Sequence, residues 1–255
     1  MAEATRTATT IETRDGRCPA SLFRPSTGGA LPGVIMFMDG VGIRPAMFDM
    51  AARIAEAGYV VLLPDLFYRS GSYEAPAPAK LFGDLEFRKV WFAKHRAQLT
   101  FANVMSDVGS FLGVLAKDPT VAQPKVGTTG YCMGGQFAIA AAGHYPERVA
   151  AAASFHGANL VTDAPDSPHL LAPRMKARVY VAGAIEDSSF TDDMKRRLDE
   201  ALTAAGVAHV VETYQGLRHG WVPRDMPVHD PAGAERHFRE LLSLYGATLK
   251  GSLNA

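Results

Sequence analysis

A chain of 255 residues with 47% apolar content is long enough to bury the core of one α/β domain. Its 26 basic and 26 acidic side chains cancel, which leaves no electrostatic footprint for nucleic acid or an anionic membrane. No run of about 18 apolar residues is present, residues 1–14 lack the apolar stretch of a secretory signal, and the thiols are Cys18 and Cys132, so the chain reads as cytoplasmic with its cysteines reduced.

Residues 11–24 alternate apolar and polar around Asp15-Gly16, the pattern of an antiparallel hairpin spanning about 8–25. A continuous apolar run at 34–38 marks a strand covered on both faces, followed by a loop at Asp39-Gly40-Val41-Gly42. Helical spacing over 47–57 stops at Gly58, and a second buried strand, 59–63, ends at Pro64. The stretch 65–79 is irregular, with Ser-Gly-Ser and alternating Ala-Pro. It is long for a connection and follows a strand end, so 65–80 is expected to form a lid or substrate loop. A helix is expected through 97–116, then a strand at 125–129 and a small-residue helix at 136–144. Strands at 149–155, 179–182 and 209–214 alternate with helices at 191–205 and 232–245. This alternation argues for an α/β fold, a mostly parallel central sheet with helices on both faces, in which ligands bind beyond the carboxyl ends of the strands. No repeat or linker interrupts the chain, which reads as a single domain over 1–255.

Gly130-Tyr131-Cys132-Met133-Gly134-Gly135 lies between the expected strand and the small-residue helix. A G-x-nucleophile-x-G run in that setting is the sequence form of a nucleophile elbow. The nucleophile occupies a strained turn, and the residues two before and two after it pack together with no room for a Cβ. The nucleophile position holds Cys132, which points to thiol-dependent acyl transfer. Its partners should follow in the order acid, then histidine. Asp187 follows the strand at 179–182, and His219 follows the strand at 209–214, so both can meet Cys132 at one rim of the sheet. His219 would take the thiol proton and later protonate the leaving group, and Asp187 would hold the imidazole tautomer. The backbone N–H groups of Met133 and Gly40 are the expected oxyanion hole.

These motifs, with Ala57-Gly58-Tyr59-Val60, Leu63-Pro64-Asp65-Leu66 and His219-Gly220, resemble the dienelactone hydrolase (carboxymethylenebutenolidase) family of the α/β-hydrolase fold. The resemblance runs from about residue 33 to 245. It implies hydrolysis of a small cyclic or activated ester such as a dienelactone, as in bacterial degradation of chlorinated aromatics, with a small-molecule substrate, no cofactor and no metal. The family has a Glu beside the nucleophile where this chain has Asp39. A carboxylate there disfavours the thiolate and could hold Cys132 protonated until substrate displaces it. The family also grips a substrate carboxylate with arginines. Arg224, five residues after His219, stands near one such place, and Arg88 and Arg96 are both candidates for the other.

Several readings stay open at this level. Glu186 rivals Asp187, and Asp192 or Asp193 could instead cap the following helix. His156 could line the pocket or serve as a structural histidine, and Asp39 could simply cap a turn. Phe67, Tyr68, Phe82, Trp91 and Phe92 could line the pocket or form the core of a helical cap. No His/Cys/carboxylate cluster has metal-ligand spacing. The competing functions are a general carboxylesterase or thioesterase using the same site, and a non-catalytic relative that binds a ligand or senses oxidants through Cys132. Oligomeric state is open between monomer and weak homodimer.

Overall fold

The computed structural model describes residues 3–26, 29–122 and 124–250. Eight strands form one sheet: β1 (Ala4–Thr13), β2 (Gly16–Pro25), β3 (Gly33–Phe37), β4 (Val60–Pro64), β5 (Val126–Tyr131), β6 (Val149–Phe155), β7 (Arg178–Gly183) and β8 (His209–Thr213). Their spatial order is β1-β2-β4-β3-β5-β6-β7-β8. The hairpin pairs β1 with β2 and β2 with β4 antiparallel, and every pairing from β4 through β8 is parallel. Among the described residues the α-helices are α1 (Pro45–Glu56), α2 (Pro78–Gly83), α3 (Leu85–Arg96), α4 (Phe101–Lys117), α5 (Met133–His144), α6 (Asp192–Ala204) and α7 (Pro231–Tyr245). Helices cover both faces of the sheet, which is why β3, β4 and β5 are buried along their whole length and why β3 and β4 read as unbroken apolar runs. Among the described residues no single helix is long and apolar enough to cross a membrane.

The hairpin begins earlier than the alternation suggests, at Ala4, because the threonine-rich first half of β1 is a largely exposed edge with little apolar signal. Its two-residue turn is Arg14-Asp15, and Gly16, at φ +135, opens β2. The expected continuous helix through 97–116 is instead the end of α3, a break, and α4. Thr100 caps α4 by accepting the Asn103 N–H at 3.2 Å, and the two helices bend by 60°. The helix after the elbow starts at Met133 rather than 136, because the turn is a single residue, Cys132 at φ +52.

The irregular segment after β4 is pinned to the body of the protein. It contains one turn of 3-10 helix, Tyr68–Ser70. Arg69 bridges Asp107 at 2.7 Å and Asp15 at 2.8 Å. The Tyr73 hydroxyl donates to Asp65 and accepts the Ile43 N–H, both at 2.9 Å. The Tyr73 ring packs edge-on against Phe67 and Trp91. Phe67 and Trp91 are therefore core, while Tyr68 bonds Thr13 and Asp107 at the edge of the hairpin.

Candidate active site

Three parallel strands end at one rim and deliver the candidate residues there. Cys132 follows β5, Asp187 follows β7 and His219 follows β8. The elbow is built as the glycines require. A Cβ on Gly130 would overlap the carbonyl oxygen of Gly134, and one on Gly134 would lie 2.5 Å from the carbonyl oxygens of Phe37 and Met38. That close approach lets a non-glycine residue, Cys132, be held at positive φ with its half-buried side chain at a cavity.

His219 Nδ1 lies 2.7 Å from Asp187 Oδ2. Asp187 Oδ1 accepts from both the backbone N–H (2.9 Å) and the hydroxyl (2.6 Å) of Ser189. The loops carrying the pair are tied by the Ile185 N–H donating to the Leu217 carbonyl at 2.9 Å. Glu186 is exposed at φ +50, while Asp192 and Asp193 pair with Lys195 and Arg196 on α6. Asp187 is thus the carboxylate that meets His219.

The electrostatics of the rim are coupled. Burial pushes the Cys132 thiol up, but the neighbouring His219, by charge and hydrogen bond, together with Arg96 outweighs burial and the opposing charge of Asp39, so the thiol lies below its ordinary value. Burial lowers His219, but the Cys132 sulfur and Asp187 more than offset it and raise the imidazole well above its usual range. Burial raises Asp187, and the hydrogen bonds from His219 and Ser189 bring it below the ordinary carboxylate value. The arrangement favours a thiolate beside an imidazolium.

A cavity of about 410 Å³ opens over Cys132 and His219. Its far wall is Phe82 of α2 with Arg88, Phe92 and Arg96 of α3, and its near wall includes Asp39, Gly40, His156, Asn159, Ser189 and Met226. The lining residues on this side, Phe82, Arg88, Phe92 and Arg96, all follow residue 80, while Tyr73 within the 65–80 segment buttresses the loop after β3. Phe82 and Phe92 are cavity residues rather than cap core. Arg96 lies over the Phe92 ring at 3.8 Å. Neither Arg88 nor Arg96 has a carboxylate partner among the described residues, so both present open cationic donors.

Arg224 does not join them. It pairs with Asp49 at 2.7 Å and lines a separate groove between α1 and α7. Pro223 and the turn that follows carry it away from the cavity. Gly40 borders the cavity, and its carbonyl accepts Trp91 Nε1–H at 3.0 Å, which orients that loop. Met133 is the first residue of α5, where a backbone N–H has no intrahelical acceptor. His156 stands where both expected readings would place it. Its Nδ1 accepts the Cys132 N–H at 3.1 Å, and its ring also borders the cavity, packed edge-on against Trp221 and His219. Burial, then the nearby His219 and His237, push it well below the ordinary value and keep it neutral.

Asp39 is spoken for. Arg44 binds it with two prongs, at 2.8 and 3.0 Å. Sequence reasoning missed Arg44, Asp225, Ser189 and the Trp91 contact. One signal was available for Arg44: it is the N-cap of α1, where a cation opposes the helix dipole and needs another reason to be there. Among the described residues no group of three His, Cys, Asp or Glu side chains is placed to hold a metal ion. Cys18 is a buried residue of β2, its thiol donating to the Asp65 carbonyl, and burial raises it.

The strand order and the elbow at the end of a central parallel strand define the α/β-hydrolase fold. A crystal structure from Klebsiella pneumoniae, described as a "Putative Dienelactone Hydrolase", superposes with a TM-score of 0.82 at 22% identity, over 95% of this chain and 98% of that one. The family model for the dienelactone hydrolase family matches residues 18–249, and the chain belongs to that family of ester hydrolases. Relatives include a Synechocystis protein named "Putative carboxymethylenebutenolidase", 25% identical over 96% of this chain and 97% of its own. Another is the carboxymethylenebutenolidase of Rhodococcus opacus, 23% identical over 85% of this chain and 80% of its own.

Proposed function

We propose that the protein hydrolyses a small, anionic, cyclic or activated ester of the dienelactone type through Cys132, His219 and Asp187. The observation that carries this reading is the 2.7 Å Asp187–His219 bond, with His219 set against the Cys132 sulfur at the cavity floor. The Cys132 thiolate attacks the ester carbonyl, and the N–H groups of Met133 and Gly40 receive the developing oxyanion. Collapse breaks the C–O bond, and the His219 imidazolium protonates the departing enolate. The acyl-thioenzyme is cleared when His219, now neutral, takes a proton from water. The hydroxide attacks the thioester carbonyl, the C–S bond breaks and the thiolate returns. Asp187 accepts from Nδ1 throughout and stabilises the imidazolium. His156 holds the Cys132 amide, and Arg88 and Arg96 are the donors for a substrate carboxylate, as such groups are in the family.

The thiol suits a good leaving group such as an enolate, which favours enol lactones over amides. A redox-sensing role finds little support, because the second thiol, Cys18, is fully buried away from solvent. The test is steady-state hydrolysis of a dienelactone and of p-nitrophenyl acetate by the native protein and Cys132→Ala. Turnover of the lactone, lost in a folded Cys132→Ala, supports both mechanism and substrate. Turnover of the aryl ester alone keeps the mechanism and moves the substrate to simple esters. Hydrolysis that survives Cys132→Ala overturns the reading.

A further inference from the structure

A second cavity, of about 250 Å³, adjoins the one over Cys132 and His219, and Arg96, Ala158 and Asn159 line both. This annex has apolar lining from Phe101 and Phe137, whose rings lie 5.8 Å apart, and polar lining from Arg96, Gln136, Asn159 and Asp166. Its position is fixed against the catalytic rim. The Ala158 N–H donates to the Cys132 carbonyl at 3.0 Å. The Asn159 N–H donates at 3.2 Å to the carbonyl of Ser189, the residue that holds Asp187. Asn159 itself stands at φ +57, a left-handed backbone that, glycine aside, falls mostly to Asn and Asp and recurs at binding sites.

The polar groups of the annex have capacity to spare. Among the described residues the Asn159 and Asp166 side chains make no hydrogen bond. Gln136 spends one amide N–H on the Met133 carbonyl at 3.3 Å, which leaves its side-chain oxygen to accept. The charges narrow the ligand. Arg96 disfavours a cation, Asp166 disfavours an anion, and the two amides both donate and accept. A group that satisfies all of them is neutral and both donates and accepts, as a hydroxyl does. We propose that the annex is a specificity subsite for the acyl part of the substrate, and that this part carries a neutral hydroxylated chain. The proposal deepens the reading of Cys132 as nucleophile and rests on it. The leaving oxygen must lie at His219, which borders the main cavity and not the annex, whereas Met133, the proposed oxyanion donor, borders the annex. The arm of the ester that runs past the oxyanion and away from His219 is the acyl arm. At about 30 Å³ for a water-sized group, the annex has room for a chain of several non-hydrogen atoms. A substrate carboxylate would stay with Arg88 and Arg96 in the main cavity, which Asp166 does not line.

The test compares kcat/KM for p-nitrophenyl ω-hydroxyhexanoate and p-nitrophenyl heptanoate, which share a leaving group and differ by a terminal hydroxyl in place of a methyl. The native protein should prefer the hydroxylated ester by about fivefold to tenfold, against the apolar pull of the hydrocarbon chain. Asn159→Gly keeps the left-handed backbone and removes the amide, and Gln136→Met keeps an unbranched, helix-favouring side chain without the amide. Each should bring the ratio towards one. The ratio divides out changes in folding or in Cys132 itself, because both esters pass through an acyl-thioenzyme and release the same phenolate. No preference in the native protein, a preference for the heptanoate, or a ratio unmoved in both variants overturns the proposal. So does a stronger preference for p-nitrophenyl ω-aminohexanoate, which would make the annex a cation site. p-Nitrophenyl acetate, whose acyl group stops short of the annex, separates this failure from failure of the mechanism. Acetate hydrolysis that is lost in Cys132→Ala, with no hydroxyl preference among the longer esters, overturns the annex alone. Acetate hydrolysis that is absent, or that survives Cys132→Ala, overturns the nucleophile and the annex with it.

Discussion

Asp187 and Asp39 each lie just past the carboxyl end of a parallel strand, and both side chains are almost fully buried, at 3% and 4% exposure. Asp187 is paired with an imidazole, whose charge can come and go, whereas Asp39 is paired with a guanidinium, whose charge is permanent. Two loops with the same kind of acid thus acquire different chemistry. The Asp187 loop meets a group that can gain and lose a proton, and the Asp39 loop meets one that cannot. The lesson is that a buried carboxylate beside a nucleophile takes its role from the pKa of the cation it meets.

The strongest test of this contrast replaces each acid by its amide. Asp187→Asn should lower kcat by about a thousandfold to ten-thousandfold, because the imidazole loses its tautomer and its imidazolium its counter-charge. Asp39→Asn should cost about tenfold or less. Equal losses in steady-state kinetics would erase the distinction. The pH profile sharpens it next. Cys132 is lowered, so its thiolate persists as pH falls below the ordinary thiol value of about 8.5. His219 is raised, so its imidazolium persists above the ordinary value of about 6.5. The ion pair exists between the two shifted values. Thus kcat/KM should rise as pH climbs through the lowered thiol value and fall only as pH approaches about 10. Asp187→Asn removes a raising influence on His219 and should bring the alkaline limb down, while Asp39→Asn should leave that limb in place.

Smaller effects separate cations that face the cavity from one that does not. Arg88→Ala and Arg96→Ala should each raise KM for a carboxylate-bearing ester by about tenfold and change the hydrolysis of p-nitrophenyl acetate little, since a charge-assisted bond is lost only where the substrate has a charge. Arg224→Ala should change either substrate less than about twofold and stability by less than about 0.5 kcal/mol. Its partner Asp49 is an exposed surface ion pair on another groove. A KM effect at Arg224 equal to that at Arg88 would place the anion site elsewhere.

Much of the site was legible in the chain because its signals are local. Gly130, Gly134 and Cys132 announce the elbow within five residues, and the structure shows the steric reason in the overlap a Cβ would create. The order Cys132, Asp187, His219 follows from each residue lying just after a recognisable strand. The break between α3 and α4 was not seen, although Thr100 is a good cap, because apolar spacing continues through it. The 65–79 segment looked loose for a similar reason. Its order comes from partners far away, Asp107 and Ile43 among them, that no window of sequence contains.

The sequence by itself determined the fold class, the elbow that carries Cys132 and the strand ends from which Asp187 and His219 approach it, since period, glycine sterics and motif order act over a few residues. Only the tertiary structure decided which arginines face the cavity and what Asp39 would hold. Arg88 and Arg96 reach the site because α3 lies across it, and Arg224 misses it because its turn leads to Asp49. The Arg44–Asp225 contact joins residues 181 apart in the chain. A charge pair at that separation leaves no periodic trace, because it forms only when the packed sheet brings two loop ends to one rim.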